Sequence, residues 1–171
     1  PLRMIGTHSD ITERKASEAQ IWRQANFDPL TGLPNRRMLR TRLEEALSRS
    51  QSRDAKLAVV FVDLDHFKEV NDTLGHEAGD LLLVEAAQRI QKSLGGSDTV
   101  ARMGGDEFTL VINHVTDTAA LEIQLQGVLD KMAKAFPIRT EQVFVSASLG
   151  VALYPDDATT VEDLFKHADQ A

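Results

Sequence analysis

The clearest pattern along the 171-residue chain is an unbroken apolar run, Leu57-Ala-Val-Val-Phe-Val62, that ends in Asp63-Leu64-Asp65. A β-branched run of this length reads as a central, buried strand. The stretches around it have helical periodicity. "SDITERKASEAQIWRQAN" carries Ala16, Ala19, Trp22 and Ala25 three apart, with Asp10 or Thr12 as candidate caps. "FDPLTGLPN" is a loop, and Asn35 can cap a following helix that aligns Met38, Leu39, Leu43 and Leu47. After the strand, "HFKEVNDTLG" is a short helical stretch closed by Gly75. "EAGDLLLVEAAQRIQKSLGG" is a long helix with a glycine stop. "DTVARM-GGDE-FTLVINHV" reads as a hairpin and "DTAALEIQLQGVLDKMAKAF" as a helix. "EQVFVSASLGVALYP" reads as one alternating strand through Val143, Val145 and Ala147, and "TTVEDLFKHADQA" opens a last helix.

This order predicts an α+β domain with a ferredoxin-like βαββαβ core, an antiparallel sheet with its helices on one face. Formal charge is −7, which argues against a non-specific nucleic-acid binder. An acidic protein still binds a polyphosphate when a divalent cation accompanies it. The chain contains no cysteine, so disulfides and thiolate metal sites are excluded. No apolar run approaches the length of a membrane span.

The chemistry concentrates in "RMGGDEFTL", where Gly104-Gly105 interrupt a strand and Asp106 and Glu107 follow side by side. Glycines weaken a strand interior and adjacent carboxylates repel. The plain reading is a solvated hairpin turn. The chemical reading is a metal or phosphate site at the hairpin tip. Asp63 and Asp65 bear on the choice, because period two places them on one face if the strand persists. Carboxylates from adjacent strands suit Mg²⁺ with phosphate oxygens, and two such ions clamp the attacking and leaving oxygens of a phosphoryl or nucleotidyl transfer. Asp65 has an equally good reading as the cap of the short helix after it.

Three segments in order, "DPLTGLPNRR", "FVDLDHFKEVNDTLGHEAGD" and "RMGGDEF", resemble the GGDEF family, the bacterial diguanylate cyclases. The resemblance covers about residues 26–171. It implies a fold like nucleotide cyclases and polymerase palms, and the condensation of two GTP into cyclic di-GMP and two pyrophosphates. It implies two Mg²⁺ (or Mn²⁺) per active site, held by Asp63, the Leu64 carbonyl and Asp106, with Asp106 also activating the 3′-hydroxyl. Lys68 is then the cation on the triphosphate. Asn71 and Asp80 read the guanine, and His76, Phe67 and Glu107 join the substrate site. Asp28 and Arg36 brace the fold. The implied partners are GTP and a second copy of the domain, with sensory and phosphodiesterase domains as neighbours in one chain. The implied location is the bacterial cytoplasm, within a larger membrane-associated sensor. A non-catalytic GTP-binding module on the same fold is the alternative.

"RMIGTHSDITERK" resembles the end of a PAS sensor domain. Residues 1–14 are thus read as a PAS remnant, 12–26 as a signalling helix and 27–171 as the GGDEF domain. The family continues past "HADQA" with a Tyr, an Ala-Lys pair and Gly-Arg-Asn, so the C-terminal end is read as truncated. One departure stands out. Many relatives carry an inhibitory Arg-x-x-Asp five residues before the first motif glycine; here the Asp is Asp98, but Gly95 occupies the Arg position.

Overall fold

The computed structural model describes residues 12–53 and 55–171, so the PAS-like stretch and Asp10 lie almost wholly outside the described residues. Twelve elements follow in order. They are α1 (Thr12–Asn26), α2 (Arg36–Arg53), β1 (Lys56–Leu64), α3 (Phe67–Leu74), α4 (His76–Gln91), β2 (Thr99–Gly104), β3 (Glu107–Val115), α5 (Thr118–Met132), β4 (Phe136–Ile138), β5 (Glu141–Val143), β6 (Ala147–Tyr154) and α6 (Val161–Gln170).

The main sheet has the order β2-β3-β1-β6 and is antiparallel throughout, as the βαββαβ reading requires. The apolar run is its centre, paired on both sides. Alternation along β1 divides two cores. Ala58, Val60 and Val62 join Leu82, Ala86, Ile90 and Val128 under α4 and α5, while Leu57 and Val59 join Leu39, Leu43, Leu47 and Leu164 under α2 and α6. Helices therefore cover both faces, where one covered face was expected. The physical reason lies in β1 itself: a continuous apolar strand exposes a hydrophobic face unless both sides are packed.

The expected single strand over residues 141–155 is two strands. β5 pairs with β4 in a separate two-stranded sheet, and β6 alone joins the main sheet. Val143 and Val145 are both buried as the alternation suggested, but β5 ends at Val143 and Val145 lies in the link that leads to β6 at Ala147. β4 was not anticipated because the preceding helix was read through Phe136, whereas α5 ends at Met132 and Phe136 opens the strand; Pro137 is tolerated in a two-stranded ribbon, where every strand is an edge. Asn35 caps α2 as expected, its side-chain oxygen accepting from the Met38 N–H at 3.1 Å.

Gly150 positions α6. A Cβ there would lie 2.0 Å from the Ala168 carbonyl oxygen, so only glycine lets the helix end approach β6 this closely.

Candidate active site

β1 delivers the first acid. Asp63 is its penultimate residue and stands opposite Glu107 on β3 and Ser148 on β6. Directly opposed residues in an antiparallel pair have Cα atoms about 4.5–5.5 Å apart. The Gly104-Gly105 turn reverses the chain between β2 and β3, with φ of 139° and 53°, values that side-chain-bearing residues rarely adopt. The turn therefore places Asp106 and Glu107 at the end of the sheet where β1 finishes. Asp63 is exposed at the sheet end, yet partial desolvation there pushes its carboxyl up, and the neighbouring charges of Asp106, Glu107 and Asp65 push it further. A cleft of about 280 Å³ runs from Asp63, Glu107 and Ser148 to Ala168 and Asp169 of α6.

Asp65 takes neither role considered for it. β1 ends at Leu64, and the Asp65 carboxylate turns toward β6 to accept hydrogen bonds from the Ser146 hydroxyl and, at 2.7 Å, the Ser148 hydroxyl. Those two bonds, Ser146 first, hold its carboxyl below the ordinary range. Nor does it cap α3, whose N-cap is His66 in the left-handed region at φ 62° with no side-chain cap. The His66 ring contacts Glu69 at 2.8 Å, and that hydrogen bond raises the imidazole.

α3 and α4 carry the remaining candidates. Lys68, His76 and Asp80 are exposed, and His76 and Asp80 lie one turn apart at the start of α4. Asn71 is half-buried and rests against α4: a Cβ added at Gly79 would sit 1.9 Å from its Oδ1 and 3.2 Å from the Phe67 ring. The Phe67 side chain lies in the core beside Val70, Ala78 and Leu82, so its ring is not a substrate surface. What Phe67 offers a ligand is its backbone N–H, one of the first-turn donors that a helix leaves without an internal acceptor. Leu64 is likewise buried through its side chain, leaving only its main chain for a ligand.

Two contributors escaped the sequence reading. Arg102 donates from Nε and Nη2 to the Gly105 carbonyl at 3.1 and 2.8 Å, and from Nη1 to both Asp28 oxygens at 3.1 and 3.0 Å. Asp28 thus braces the hairpin. Arg36 is exposed and makes no side-chain hydrogen bond among the described residues. Gly79 is the second, and an isolated glycine inside a helical pattern was its available signal.

No three acidic or histidine side chains close into a ready metal cage among the described residues. The donor set still fits Mg²⁺, which is commonly held by one or two carboxylates and completed by phosphate oxygens and water. Asp63 feels the charge of Asp106 and Glu107, and no ion pair among the described residues neutralises any of the three. Such uncompensated negative charge suits a hard dication. No described helix is long and apolar enough to cross a membrane.

At the other end of β2, Asp98 is engaged within its own domain through both carboxylate oxygens. It accepts from the Gly95 N–H at 3.0 Å, the Asn113 N–H at 3.0 Å and the Gln124 side chain at 3.3 Å.

The family model for the diguanylate cyclase GGDEF domain matches residues 25–171. Among curated proteins, the chain is 42% identical over 162 residues to the bifunctional diguanylate cyclase/cyclic di-GMP phosphodiesterase MucR of Pseudomonas aeruginosa, covering 94% of this chain and 23% of MucR. It is 43% identical over 157 residues to the diguanylate cyclase TpbB of the same species, covering 90% and 35% respectively. With the cyclic di-GMP phosphodiesterase PdeR of Escherichia coli it shares 36% identity over 168 residues, covering 98% and 25%. The chain thus spans about a third or less of the length of these relatives. Among solved structures, a GGDEF-only form of TpbB superposes with a TM-score of 0.81 at 40% identity, covering 84% of each chain. A sensory box/GGDEF family protein of Caulobacter crescentus superposes with a TM-score of 0.81 at 44% identity, covering 85% of this chain and 94% of that one. The glycine turn that sets two acids beside the end of a central strand lies within residues 25–171 matched by the family model, and this chain is a member of the GGDEF domain family.

Proposed function

We propose that this domain is a diguanylate cyclase, joining two GTP molecules into cyclic di-GMP with release of two pyrophosphates. One observation carries the reading. Asp63 faces Glu107 across the β1–β3 pair, beside Asp106, and among the described residues no basic side chain forms an ion pair with any of the three. A structural turn has no need to concentrate three carboxylates at cost to one of them.

In each half-reaction the 3′-hydroxyl oxygen of one GTP attacks the α-phosphorus of the other, and pyrophosphate leaves. Asp63, Asp106 and the Leu64 carbonyl would hold two Mg²⁺ or Mn²⁺ ions. When bound, these would polarise the phosphoryl oxygens and stabilise the leaving group. Asp106 takes the hydroxyl proton. Lys68 and the free N–H groups at the start of α3 bind the triphosphate, since a helix N-terminus and an ammonium both favour anions. Asn71, pressed against Gly79, presents one amide edge to the guanine, and Asp80 accepts from the base's N1–H and N2–H. His76, on the same helical face as Asp80, borders the nucleotide, and Glu107 adds charge beside the metals. Each site binds one GTP, so the reaction needs two copies facing each other.

Relatives named as phosphodiesterases match over nearly the whole chain, which favours as second reading a GTP-binding regulatory module joined to such a domain. Incubating the full-length protein with GTP and Mg²⁺ and separating products by chromatography discriminates the two. Cyclic di-GMP forms under the first reading only, and Asp63→Asn and Asp106→Asn each abolish it without lowering the melting temperature. Near-normal turnover in either variant removes the acid cluster from the mechanism.

A further inference from the structure

A Gly-Gly tip is a soft place to mount a catalytic acid. Gly104 and Gly105 sit at φ 139° and 53°, and the ladder between β2 and β3 is irregular between Arg102 and Gly104. Glycine loses more backbone freedom on ordering than any other residue, so the peptide before Asp106 needs an external restraint.

Arg102 supplies one from β2, the strand that leads into the turn. Two of its guanidinium nitrogens converge on the Gly105 carbonyl at 3.1 and 2.8 Å, the peptide group immediately preceding Asp106. The third nitrogen donates to both oxygens of Asp28, and this pair is largely shielded, with side chains only 12% and 16% exposed. Paired, charge-assisted bonds to a planar fork fix orientation as well as distance. The Arg102 N–H also donates to the Pro34 carbonyl at 3.0 Å.

Asp28 is itself held. It accepts from the Thr31 N–H at 2.8 Å and the Thr31 hydroxyl at 2.7 Å, and its own N–H donates to the Leu33 carbonyl. The loop it belongs to is tied to the last turn of α1. Phe27 N–H donates to the Arg23 carbonyl, Asn35 N–H to the Asn26 carbonyl, and the Asn35 side-chain amide to the Ala25 carbonyl. A continuous set of hydrogen bonds therefore runs from α1, through the 27–35 loop and Arg102, to the peptide that carries Asp106.

We infer that Arg102 is a positioning residue for Asp106 and that Asp28 holds its guanidinium, so the loop after α1 sets the geometry of the hairpin tip. The role in catalysis rests on the cyclase reading above; the mechanical role does not. An ordinary structural ion pair would stabilise the domain without controlling the tip in particular.

The test uses full-length protein and the variants Arg102→Lys, Arg102→Ala, Asp28→Asn and the Arg102→Ala/Asp28→Asn double. Amide hydrogen exchange is followed at residues 104–107 and at Leu110 and Val111 in the middle of β3. In Arg102→Ala the tip amides exchange faster by on the order of tenfold, while Leu110 and Val111 are unchanged. Asp28→Asn shows a smaller acceleration, and the double variant matches Arg102→Ala because the two act through one guanidinium. Arg102→Lys, which keeps the charge but loses the fork, falls between wild type and Arg102→Ala. With GTP and Mg²⁺, kcat drops by on the order of tenfold in Arg102→Ala while KM moves by less than about twofold. Unchanged tip exchange in Arg102→Ala overturns the inference. So does acceleration spread evenly through β3, a double variant with summed effects, or a loss confined to KM. Variants that exchange as described, together with a wild-type protein that makes no cyclic di-GMP, refute the cyclase reading and uphold the clamp.

Discussion

Replacing Gly79 by alanine separates stability from nucleotide binding at a single position. The added Cβ would stand 1.9 Å from Asn71 Oδ1, and real Cβ contacts essentially never fall below 3.0 Å. The amide end must therefore retreat by at least 1.1 Å, and the Phe67 ring, at 3.2 Å, must give by a few tenths of an ångström. Asn71 sits at the half-buried edge of α3, so its side chain can swing out instead of straining the core. Helix propensity favours alanine over glycine by roughly 1 kcal/mol in a helix interior, and relaxing the ring costs back some of this. The expected net change in stability is between zero and a gain of about 1 kcal/mol. Binding moves the other way. A guanine hydrogen bond stretched by an ångström is lost, which costs about 0.5–1.5 kcal/mol, or roughly two- to twelvefold in GTP affinity. Calorimetric titration of GTP and urea unfolding read the two effects on one preparation. In an Asn71→Ala background, Gly79→Ala should cost no further affinity. Unchanged GTP affinity in the single variant, or an equal further loss in the Asn71→Ala background, refutes the claim that Gly79 acts by seating Asn71.

Three other outcomes follow from the same geometry. Burial works to raise the Asp28 carboxyl, but hydrogen bonds from Thr31 and then Arg102 outweigh it and hold it below the ordinary range. A depressed carboxyl stabilises the fold above its unfolded-state pKa and loses that contribution as pH falls through its folded value, so Asp28→Asn should cost about 1–3 kcal/mol near pH 5, and the gap to wild type should narrow in urea titrations as pH falls below the ordinary carboxylate range. The Thr109 hydroxyl is fully buried with no hydrogen-bond partner among the described residues, so Thr109→Val should stabilise the domain by about 1 kcal/mol, read as a higher urea midpoint at unchanged slope. Asp98 spends its carboxylate on Gly95, Asn113 and Gln124, and Gly95 offers no guanidinium; steady-state turnover should therefore show no tight inhibition by added cyclic di-GMP that Asp98→Ala relieves, while Asp98→Ala lowers stability by roughly 1–3 kcal/mol.

Much of this molecule was legible in the chain because the relevant physics is local. A β-branched run fits only a central strand, Asn35 can cap only the helix that starts beside it, and paired glycines before two acids announce a turn with charged residues at its tip. The order of elements then allowed few sheets, and the antiparallel βαββαβ arrangement was among them. Three short segments carried the family resemblance; on the proposed cyclase reading, close approach to phosphate, metal and base restricts residue type one position at a time.

What the chain could not disclose depends on which distant segments meet. Alternation on β1 was visible, but only packing revealed that α2 and α6 cover its second face. Periodicity continued across Val143 and Val145 while the backbone left one sheet at Val143 and entered the other at Ala147, since alternate residues stay buried through the link. Asp65 looked like a partner for Asp63 or a cap for α3. The serines that claim it lie more than eighty positions away in the chain on the β6 side. Arg102 and Asp28 are 74 residues apart, and nothing in either local pattern marks them as a pair. Hydrogen-bond partners of this kind are chosen by tertiary proximity, and that choice made a flexible glycine turn into a fixed mount for Asp106.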